Sequence, residues 1–327
     1  MKRLCILLAL LLALAPAALA DELGVCLYNQ SDTFISSVSL QIQKEAGDGP
    51  APIVMDAQND QNTQNDQVDE LLAQGVDALI LNPVDRTAAV YLVRKAAERN
   101  VPVIFINREP LPEDLALYDG AYYVGTDPKE TGRLCGQLVA DYFTAHPEAD
   151  RNGDGVIQYV LFKGETGHQD AEYRTQYSIR AITDAGFQVE RLGEESASWE
   201  RSLGQEKMAL FLSLYDTRIE CVISNNDDMA LGAIDALKAA GWFTPGGPYM
   251  PVVGVDATAP ALEALRQGTL LGTVLNDATN LGRAAWELAS LLARGEPVTA
   301  DNFSYPLDEH RRVYIPSQRI SQVNCGR

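Results

Sequence analysis

The chain has 327 residues, with 26 Lys or Arg against 45 Asp or Glu and a net charge of −19. This length suits two domains better than one. The strong negative charge argues against binding to nucleic acid or to anionic membrane surfaces, and it suits a neutral or cationic small ligand.

The first twenty residues have the features of an export signal. Lys2 and Arg3 precede an apolar run from Leu4 to Ala15, and Ala18-Leu19-Ala20 supplies the small residues that signal peptidase requires. The run is too short to span a membrane, and no later segment is long and apolar enough to do so. We therefore predict a signal peptide at residues 1–20 and a periplasmic or otherwise extracytoplasmic location.

Four cysteines remain after the signal peptide, and none of them forms a CxxC pair: Cys26, Cys135, Cys221 and Cys325. Disulfides can form in an oxidising compartment, but the spacing assigns no pairing. Cys26 and Cys221 fall in apolar, strand-like runs, which favours packed thiols. The bulky Val25 before Cys26 fits a lipoprotein cleavage site poorly, so lipidation is an open but disfavoured alternative.

Short apolar runs alternate with amphipathic stretches along the mature chain. The first strands are predicted at Leu23–Tyr28, Ile53–Met55, Ala78–Leu81 and Val101–Ile106. The helices between them are predicted at Phe34–Ala46, Gln61–Gln74 and Arg86–Asn100. The alternation continues to about residue 295 and is typical of doubly wound α/β lobes with parallel sheets. Further helix starts are predicted at Asp127-Pro128 and Asp227, and helix ends at Gly75, Gly186 and Gly241.

Polar or aromatic residues follow nearly every predicted strand. In open α/β sheets, ligands bind beyond the carboxyl ends of the strands, so this recurrence predicts one polar cleft edged by aromatic rings. The residues are Tyr28, Asp32 and Phe34, then Asn107 and Arg108, then His168 and Asp170, then Asn225, Asn226 and Asp227, then Asp256, and finally Asn276 and Asp277.

The chemistry of this predicted cleft suits a sugar. Carboxylates accept hydrogen bonds from hydroxyls, guanidinium groups donate to them, and carboxamides do both. Aromatic rings pack on the C–H faces of a sugar, and Phe34 and Trp199 are the candidates for such a sandwich. A glycosidase with paired carboxylates is a weaker alternative, because each candidate has an amide, guanidinium or histidine neighbour that would hold it as a hydrogen-bonding group. We predict binding without catalysis.

The segment from Asp150 to Gln158 matches the start of an EF-hand loop, D-x-[DN]-x-[DN]-G. Its predicted Ca²⁺ donors are the side chains of Asp150, Asn152, Asp154 and Gln158 and the carbonyl of Val156. At position twelve, where an EF-hand has a bidentate glutamate, this chain has Leu161. Either the ion is weakly held or another glutamate arrives from elsewhere, and the strand-like run that follows favours a structural clip over a calmodulin-type switch.

Several long segments resemble one known family: "QNDQNTQNDQVDELLAQGVDAL", "YYVGTDPKETG", "KGETGHQDAEYRT", "NNDDMALGAIDALKA" and "GTVLNDATN". Through them the chain resembles the bacterial periplasmic binding proteins for D-galactose and D-glucose, over essentially the whole mature length. The resemblance implies a monomer with two doubly wound lobes and a three-strand hinge. The N-terminal lobe would comprise residues 21–126 and 276–308, and the C-terminal lobe 127–275 and 309–327.

The resemblance also implies a function. The protein would close on a hexose and deliver it to the membrane subunits of an ABC importer, and also to a chemoreceptor in organisms that have one. Phe34 and Trp199 match the sandwich rings, Tyr28 matches an aromatic at the cleft mouth, and Glu220 matches a remote sixth calcium ligand. The implied hydrogen-bonding residues are Asp32, Asn107, His168, Asp170, Arg174, Asn226, Asp256 and Asn276.

One departure from the family pattern touches the binding residues. The family has Asn-Lys-Glu-Pro after the fourth strand, and this chain has Asn107-Arg108-Glu109-Pro110. An arginine is planar and donates as a fork, so it does not simply replace a lysine ammonium. The ranking of galactose against glucose therefore stays open, and a pentose-binding protein of the same fold is the main alternative.

Overall fold

The structure is a computed structural model that describes residues 21–325, so the predicted signal peptide at 1–20 lies outside the described residues. The strands in this range are β1 (Leu23–Leu27), β2 (Ile53–Asp56), β3 (Ala78–Leu81), β4 (Val103–Ile106), β5 (Ala121–Gly125), β6 (Val156–Lys163), β7 (Gln188–Ser196), β8 (Cys221–Ser224), β9 (Val252–Asp256), β10 (Gly272–Leu275), β11 (Arg312–Tyr314) and β12 (Gln318–Ser321). The helices are α1 (Thr33–Glu45), α2 (Gln61–Gln74), α3 (Ala89–Arg99), α4 (Pro112–Leu115), α5 (Pro128–Ala145), α6 (Gln169–Asp184), α7 (Arg201–Tyr215), α8 (Asp227–Ala239), α9 (Ala259–Arg266) and α10 (Ala278–Ala293).

The strands form two six-stranded sheets with equivalent topology. The first sheet has the order β11-β5-β4-β3-β1-β2, and the second has the order β12-β10-β9-β8-β6-β7. Neighbouring strands are parallel, except that β12 runs antiparallel to β10. Helices connect the successive parallel strands, as parallel pairing requires. The predicted α/β fold with two parallel-sheet lobes is confirmed.

The chain passes between the sheets at three places. It leaves the first sheet after β5, returns after β10 to form α10 against α1, and leaves again between β11 and β12. The third crossing corrects the lobe boundary predicted at residues 308 and 309. Because β11 pairs with β5, Arg312–Tyr314 belong to the first sheet, and the chain changes lobe only in residues 315–317.

Helix caps explain most of the predicted element boundaries. Asp127 caps α5 by accepting a hydrogen bond from the Lys129 amide, with Pro128 in the first turn. Gly75, Gly186 and Gly241 have positive φ angles of 89°, 96° and 87°, a backbone region that glycine enters without steric cost.

Two predicted helix starts shift in the structure. The cap of α8 is Asn226, whereas the sequence prediction used Asp227, which is the first helical residue instead. The stretch predicted as one helix from Arg86 begins as a 3₁₀ turn, Arg86–Ala88, because Asp85 caps that turn.

Both faces of each sheet are covered by helices. In β1, Val25 and Leu27 pack with α1 and α10, while Cys26 between them packs against α2 and α3 on the other face. Burial on both faces explains why the strands read as continuous apolar runs. Among residues 21–325, no helix is long and apolar enough to cross a membrane.

The four cysteines within residues 21–325 are free thiols. Cys26, Cys135 and Cys221 are buried, as predicted for Cys26 and Cys221, and Cys325 is half-buried. Burial raises the pKa of the Cys26 and Cys135 thiols to about 12, so these two side chains stay protonated and unreactive at neutral pH.

Candidate functional site

The predicted site residues meet in one cavity between the two lobes. The first lobe supplies residues that follow β1 and β4, and the second supplies residues that follow β6, β7, β8 and β9. The empty space among the lining atoms is about 330 Å³ when it is counted out to the open side of the cavity. Of the residues predicted for the cleft, Asn225, Asp227, Asn276 and Asp277 do not line the cavity. The others do: Tyr28, Asp32, Phe34, Asn107, Arg108, His168, Asp170, Arg174, Trp199, Asn226 and Asp256.

Asn276 lies behind the cavity wall. Its Nδ2 donates a hydrogen bond to Asp256 Oδ1 at 3.2 Å, and the side chain is fully buried. Its Oδ1 has no hydrogen-bond partner among the described residues. Asn276 therefore orients the Asp256 carboxylate. Its side-chain oxygen Oδ1 is a buried acceptor that receives no hydrogen bond from the described residues.

Three of the lining residues also begin helices. Asp32 caps α1, His168 caps α6 and Asn226 caps α8, each by accepting a backbone amide of the first turn at 2.9 to 3.1 Å. The same three N-termini therefore point at the cavity, and each cap fixes the direction of a polar side chain. This double use explains why these short polar residues stand directly before amphipathic segments in the sequence.

His168 is held as a neutral hydrogen-bond donor. Its Nδ1 accepts the amide hydrogen of Asp170 at 3.1 Å, so the proton of the neutral ring lies on Nε2. Burial lowers the pKa of His168 well below its usual 6.5, and the charges of Arg108 and Arg174 lower it further. A ring that stays neutral near pH 7 and is already used as a cap suits hydrogen bonding better than proton transfer.

A buried group of charges forms the floor of the cavity. The Arg174 guanidinium lies 3.3 Å from Asp170 Oδ2 and 3.9 Å from Asp256 Oδ1, and it donates to the Asn225 carbonyl at 2.9 Å. Burial raises the pKa of both carboxyl groups, and Arg174 opposes that rise. Arg174 Nε is buried without a partner among the described residues, so the group has hydrogen-bonding capacity left for a ligand.

Aromatic rings line the cavity from both lobes. Phe34 belongs to the first lobe, and Trp199 belongs to the second, where its ring meets His168 edge to face at 5.2 Å. A Cβ added at Gly164 would lie 2.1 Å from the Trp199 ring, so the loop after β6 needs glycine at this position. This arrangement provides two apolar walls around the polar floor.

The backbone is strained at several points of the cavity. Asn107, Trp199 and Asp256 have φ angles of 60°, 69° and 117°, which are uncommon for residues with a side chain. Such conformations cost on the order of 1–3 kcal/mol each and persist where the surrounding structure imposes them. Clustering of this strain around one cavity is typical of a binding site.

Arg108 is positioned by residues of both lobes. Its Nη1 donates to the Val84 carbonyl, its Nη2 lies 2.8 Å from Glu165 Oε1, and its guanidinium carbon is 3.8 Å from the centre of the Tyr28 ring. Glu165 follows β6 in the second lobe, so the ion pair crosses the cleft. Sequence reasoning missed Glu165, although it precedes His168 in the same loop. It also missed Ile35, whose only signal was its place beside Phe34.

A larger and more open cavity adjoins the first at the mouth of the cleft. Its empty space, counted out to the open side, is about 920 Å³, and it shares Tyr28, Asp32 and Trp199 with the inner cavity. Its other lining residues are mostly polar: Asn29, Ser31, Asn59, Glu165, Ser198, Glu200, Arg201, Ser202 and Asp228.

The predicted calcium loop has the backbone geometry of an oxygen-lined turn. Both oxygens of Asp150 accept amide hydrogens of the loop, from Gly153 and Gly155, at 2.8 Å. Gly155 has a φ of 76°, which the sharp turn requires. Glu220 is fully buried against the loop and accepts the amides of Arg151 at 2.7 Å and Gln158 at 3.2 Å.

The side chains of this loop fit a calcium ion in their chemistry. Asn152 and Gln158 both donate their amide groups to Asp154 Oδ2 at 2.9 Å. A half-turn of each amide exchanges nitrogen for oxygen and directs two more oxygen donors inward. Within residues 21–325 no group of three or more His, Cys, Asp or Glu is arranged to hold a metal, so the carboxylates of Asp150, Asp154 and Glu220 do not form such a group in this structure. A calcium ion here would also need the carboxamide and carbonyl oxygens, which Ca²⁺ accepts.

Comparison with known proteins decides the family. Residues 23–297 match the periplasmic binding protein domain. The chain belongs to this family. Family membership implies an extracytoplasmic solute-binding protein, and it confirms the prediction that the chain is not an enzyme.

Relatives of this periplasmic binding protein cover nearly its whole length. It is 42% identical over 317 residues to the D-galactose/methyl-galactoside binding periplasmic protein MglB of Haemophilus influenzae, which covers 96% of this chain and 93% of that relative. It is 31% identical over 330 residues to a putative rhizopine-binding protein of Rhizobium meliloti, covering 100% and 98%. A solved ABC transporter solute binding protein from Bacillus halodurans C-125 with bound myo-inositol superimposes with a TM-score of 0.78 at 31% identity, covering 94% and 96%.

Proposed function

We propose that this periplasmic binding protein binds a hexose, D-galactose or D-glucose, and delivers it to the membrane subunits of an ABC importer. The observation that carries the proposal is the inner cavity: a buried floor of Asp170, Arg174 and Asp256 lies between aromatic rings of both lobes. The 42% identity to a D-galactose/methyl-galactoside binding protein supports the same ligand class.

Closure completes this site. Asp32 and Asn107 come from the first lobe, while Asp170 and Trp199 come from the second, so one ligand can contact all of them only when the lobes meet. A ligand shifts the open–closed equilibrium only through its preference for one state. A hexose has enough hydroxyls to satisfy both lobes at once, which explains why it would favour the closed state.

Calorimetric titration tests the ligand. The protein, stripped of any copurified sugar by unfolding and refolding, is titrated with galactose, glucose, ribose, arabinose and myo-inositol. We expect tighter binding of at least one hexose than of either pentose or of the cyclitol. A pentose or inositol preference would replace the hexose assignment, and no heat with any of them would refute sugar binding. Incubation with a nitrophenyl galactoside should release no nitrophenol.

We propose a structural calcium ion in the loop that begins at Asp150. Its ligands would be the side chains of Asp150, Asn152, Asp154, Gln158 and Glu220 and the carbonyl of Val156. The support is the oxygen-rich turn and the placement of buried Glu220 against it, which supplies the carboxylate that position twelve lacks. The ion would join the β6 end of the second lobe to the segment before β8.

We also propose that the mature protein starts after residue 20, works as a monomer, and docks on a chemoreceptor in organisms that have a matching one. N-terminal sequencing of exported protein and light scattering after gel filtration test the first two statements. Pull-down by the importer subunits or by a chemoreceptor encoded in the same genome, with and without sugar, tests docking.

A further inference from the structure

Polar contacts join the two lobes across the cleft, and one of them is an ion pair. Thr33 donates to Asp228 at 2.7 Å near the mouth, and Gln169 donates to Glu109 at 3.2 Å on the hinge side. Between them, the Arg108–Glu165 ion pair joins opposite charges at 2.8 Å.

The ion pair stands where the inner cavity meets the mouth cavity. Arg108 lines the inner cavity, Glu165 lines the mouth cavity, and Tyr28, on which Arg108 stacks, lines both. Together these three side chains form a wall between the two spaces. A hexose in the inner cavity would therefore have Arg108, Glu165 and Tyr28 between it and part of the mouth cavity.

The charges on the two lobes oppose closure unless a cation lies between them. Among the lining residues, the first lobe brings Asp32 and Arg108. The second lobe brings two cations, Arg174 and Arg201, and five acidic residues: Glu165, Asp170, Glu200, Asp228 and Asp256. Arg174 already belongs to the second lobe and contacts two of its carboxylates. Arg108 is the cation that the first lobe contributes to the cavity, so its contact with Glu165 offsets repulsion that closing the lobes creates.

We propose that the Arg108–Glu165 ion pair is a latch that holds the lobes closed and slows release of the sugar, with Glu165 acting as a positioning residue outside the sugar contacts. This inference rests on the proposed function. An arginine suits this role better than a lysine would. One guanidinium nitrogen of Arg108 donates to the Val84 carbonyl, and another donates to Glu165. The plane of the guanidinium stacks on the Tyr28 ring. A lysine ammonium, which is a point charge, does not make these three contacts together.

The variant Glu165→Gln tests the latch, because it removes the charge and keeps the shape. Glu130→Gln is the matched control: Glu130 is 40% exposed, against 37% for Glu165, and it pairs with Arg133 inside helix α5. Stopped-flow measurement of hexose binding gives koff and kon separately. We expect E165Q to raise koff by about threefold to tenfold with kon little changed, and E130Q to change neither. High salt should raise koff of the wild type more than koff of E165Q.

Equal koff values for the wild type and E165Q would overturn the latch. Arg108→Lys provides a second reading, since it keeps the charge and loses the fork, and it should raise koff less than E165Q does. If the wild type binds none of the sugars, the proposed function fails. The latch is then tested in the ligand-free protein. A larger radius of gyration for ligand-free E165Q than for E130Q, measured by small-angle scattering, then supports the latch, and equal radii refute it.

Discussion

The cleft and the predicted calcium loop both use carboxylates and carboxamides, but they differ in burial and in how far their hydrogen bonds are satisfied. In the cleft, Arg174 Nε and Asn276 Oδ1 are buried without partners among the described residues. In the exposed loop, Asp154 accepts both neighbouring side-chain amides and the Val156 amide. The cleft is thus incomplete without a ligand, whereas the loop can close on itself.

The pKa of exposed Asp154 in the loop shifts in the opposite direction to those of the buried carboxyl groups, which are Asp170 and Asp256 in the cleft and Glu220 beside the loop. Burial raises the pKa of Asp170 and Asp256 in the cleft. The backbone amide of Val156 lowers the pKa of Asp154 in the loop. We infer that changes in the cleft are felt mainly as lost affinity, while changes in the loop are felt mainly as lost stability.

Truncation of a cleft carboxylate should have the largest effect. Asp256→Ala leaves the hydroxyls of a bound hexose without an acceptor and removes one of the two carboxylates beside Arg174. We expect the Kd for hexose to rise about a hundredfold, which corresponds to about 2.7 kcal/mol. Asp32→Ala should act in the same direction from the other lobe. Calorimetric titration at fixed salt measures both.

Asp48→Ala is the control for these two variants, because Asp48 is an exposed acidic residue outside the cleft. It should bind sugar like the wild type. If Asp256→Ala remains folded and keeps wild-type affinity, the inner cavity is not the sugar site. The expectation that changes in the cleft act mainly on affinity would then be wrong.

Removing the aromatic wall should weaken binding somewhat less. Trp199→Leu keeps an apolar side chain but loses the flat surface for the C–H face of the sugar. We expect the Kd to rise about thirtyfold, or about 2 kcal/mol. Trp286→Leu is the matched control, since Trp286 packs on the core of the first lobe. It should lower the melting temperature and leave the Kd unchanged, and the same Kd for both variants would contradict the sandwich.

Much of the fold follows from local patterns in the sequence. The bounds of α2 and β3 are those predicted, because Asp60 and Gly75 cap α2 and β3 is an apolar run buried on both faces. The lobe boundary near the C-terminus could not be predicted this way. β11 is a three-residue strand whose place depends on pairing with β5, nearly two hundred positions earlier in the chain, and a pairing over that separation has no local signal.

Most residues that line the inner cavity could be predicted from the sequence, but their contacts could not. Strand-end position indicated most of the lining residues. Arg174 was predicted only from the family resemblance, and the position of Asn276 behind the cavity wall is known only from the structure. Arg174 lies within α6, where nothing local separates it from a surface arginine. The same holds for Glu165, which matters because it forms an ion pair with Arg108 of the other lobe. No local pattern in the sequence predicts that ion pair.

Chelation tests the loop, where we expect a change in stability. An ion bound only by the folded protein stabilises it, so EDTA should lower the melting temperature of the sugar-free protein, by about 2–3 °C for a loss of about 1.5 kcal/mol. Differential scanning calorimetry with EDTA, and with EDTA plus excess Ca²⁺, measures the shift. Hexose affinity measured at 25 °C should change little.

Glu220→Gln is the discriminating variant for calcium. It keeps the shape of the side chain against the loop. It removes the carboxylate that, in our proposal, replaces the glutamate absent at position twelve of the loop. We expect its melting temperature to respond less to EDTA. A wild type that melts at the same temperature with EDTA and with added Ca²⁺ would exclude a bound ion and leave the loop as a turn closed by its own hydrogen bonds.

The smallest expected effect concerns Asp227, a fully buried carboxylate directly below the cleft. Its oxygens accept from Thr273 Oγ1 at 2.7 Å and from the Thr258 amide at 2.8 Å, yet burial still raises its pKa from 3.8 to about 7. Between these two pH values the folded protein holds a proton that the unfolded chain has released. The free energy of unfolding therefore falls as pH rises through this window.

Asp227→Asn cannot titrate, so it isolates this contribution. From pH 5.5 to 6.5 the wild type should lose about 1 kcal/mol of unfolding free energy relative to the variant. Urea unfolding at several pH values measures both curves, and Asp48→Asn should follow the wild type. Parallel curves for the wild type and Asp227→Asn would show that Asp227 is ionised in the folded protein throughout this range. In that case the hydrogen bonds from Thr273 and Thr258 lower the pKa of Asp227 by more than burial raises it. Asp227 would then resemble Asp154 of the loop, whose pKa is set mainly by hydrogen bonds.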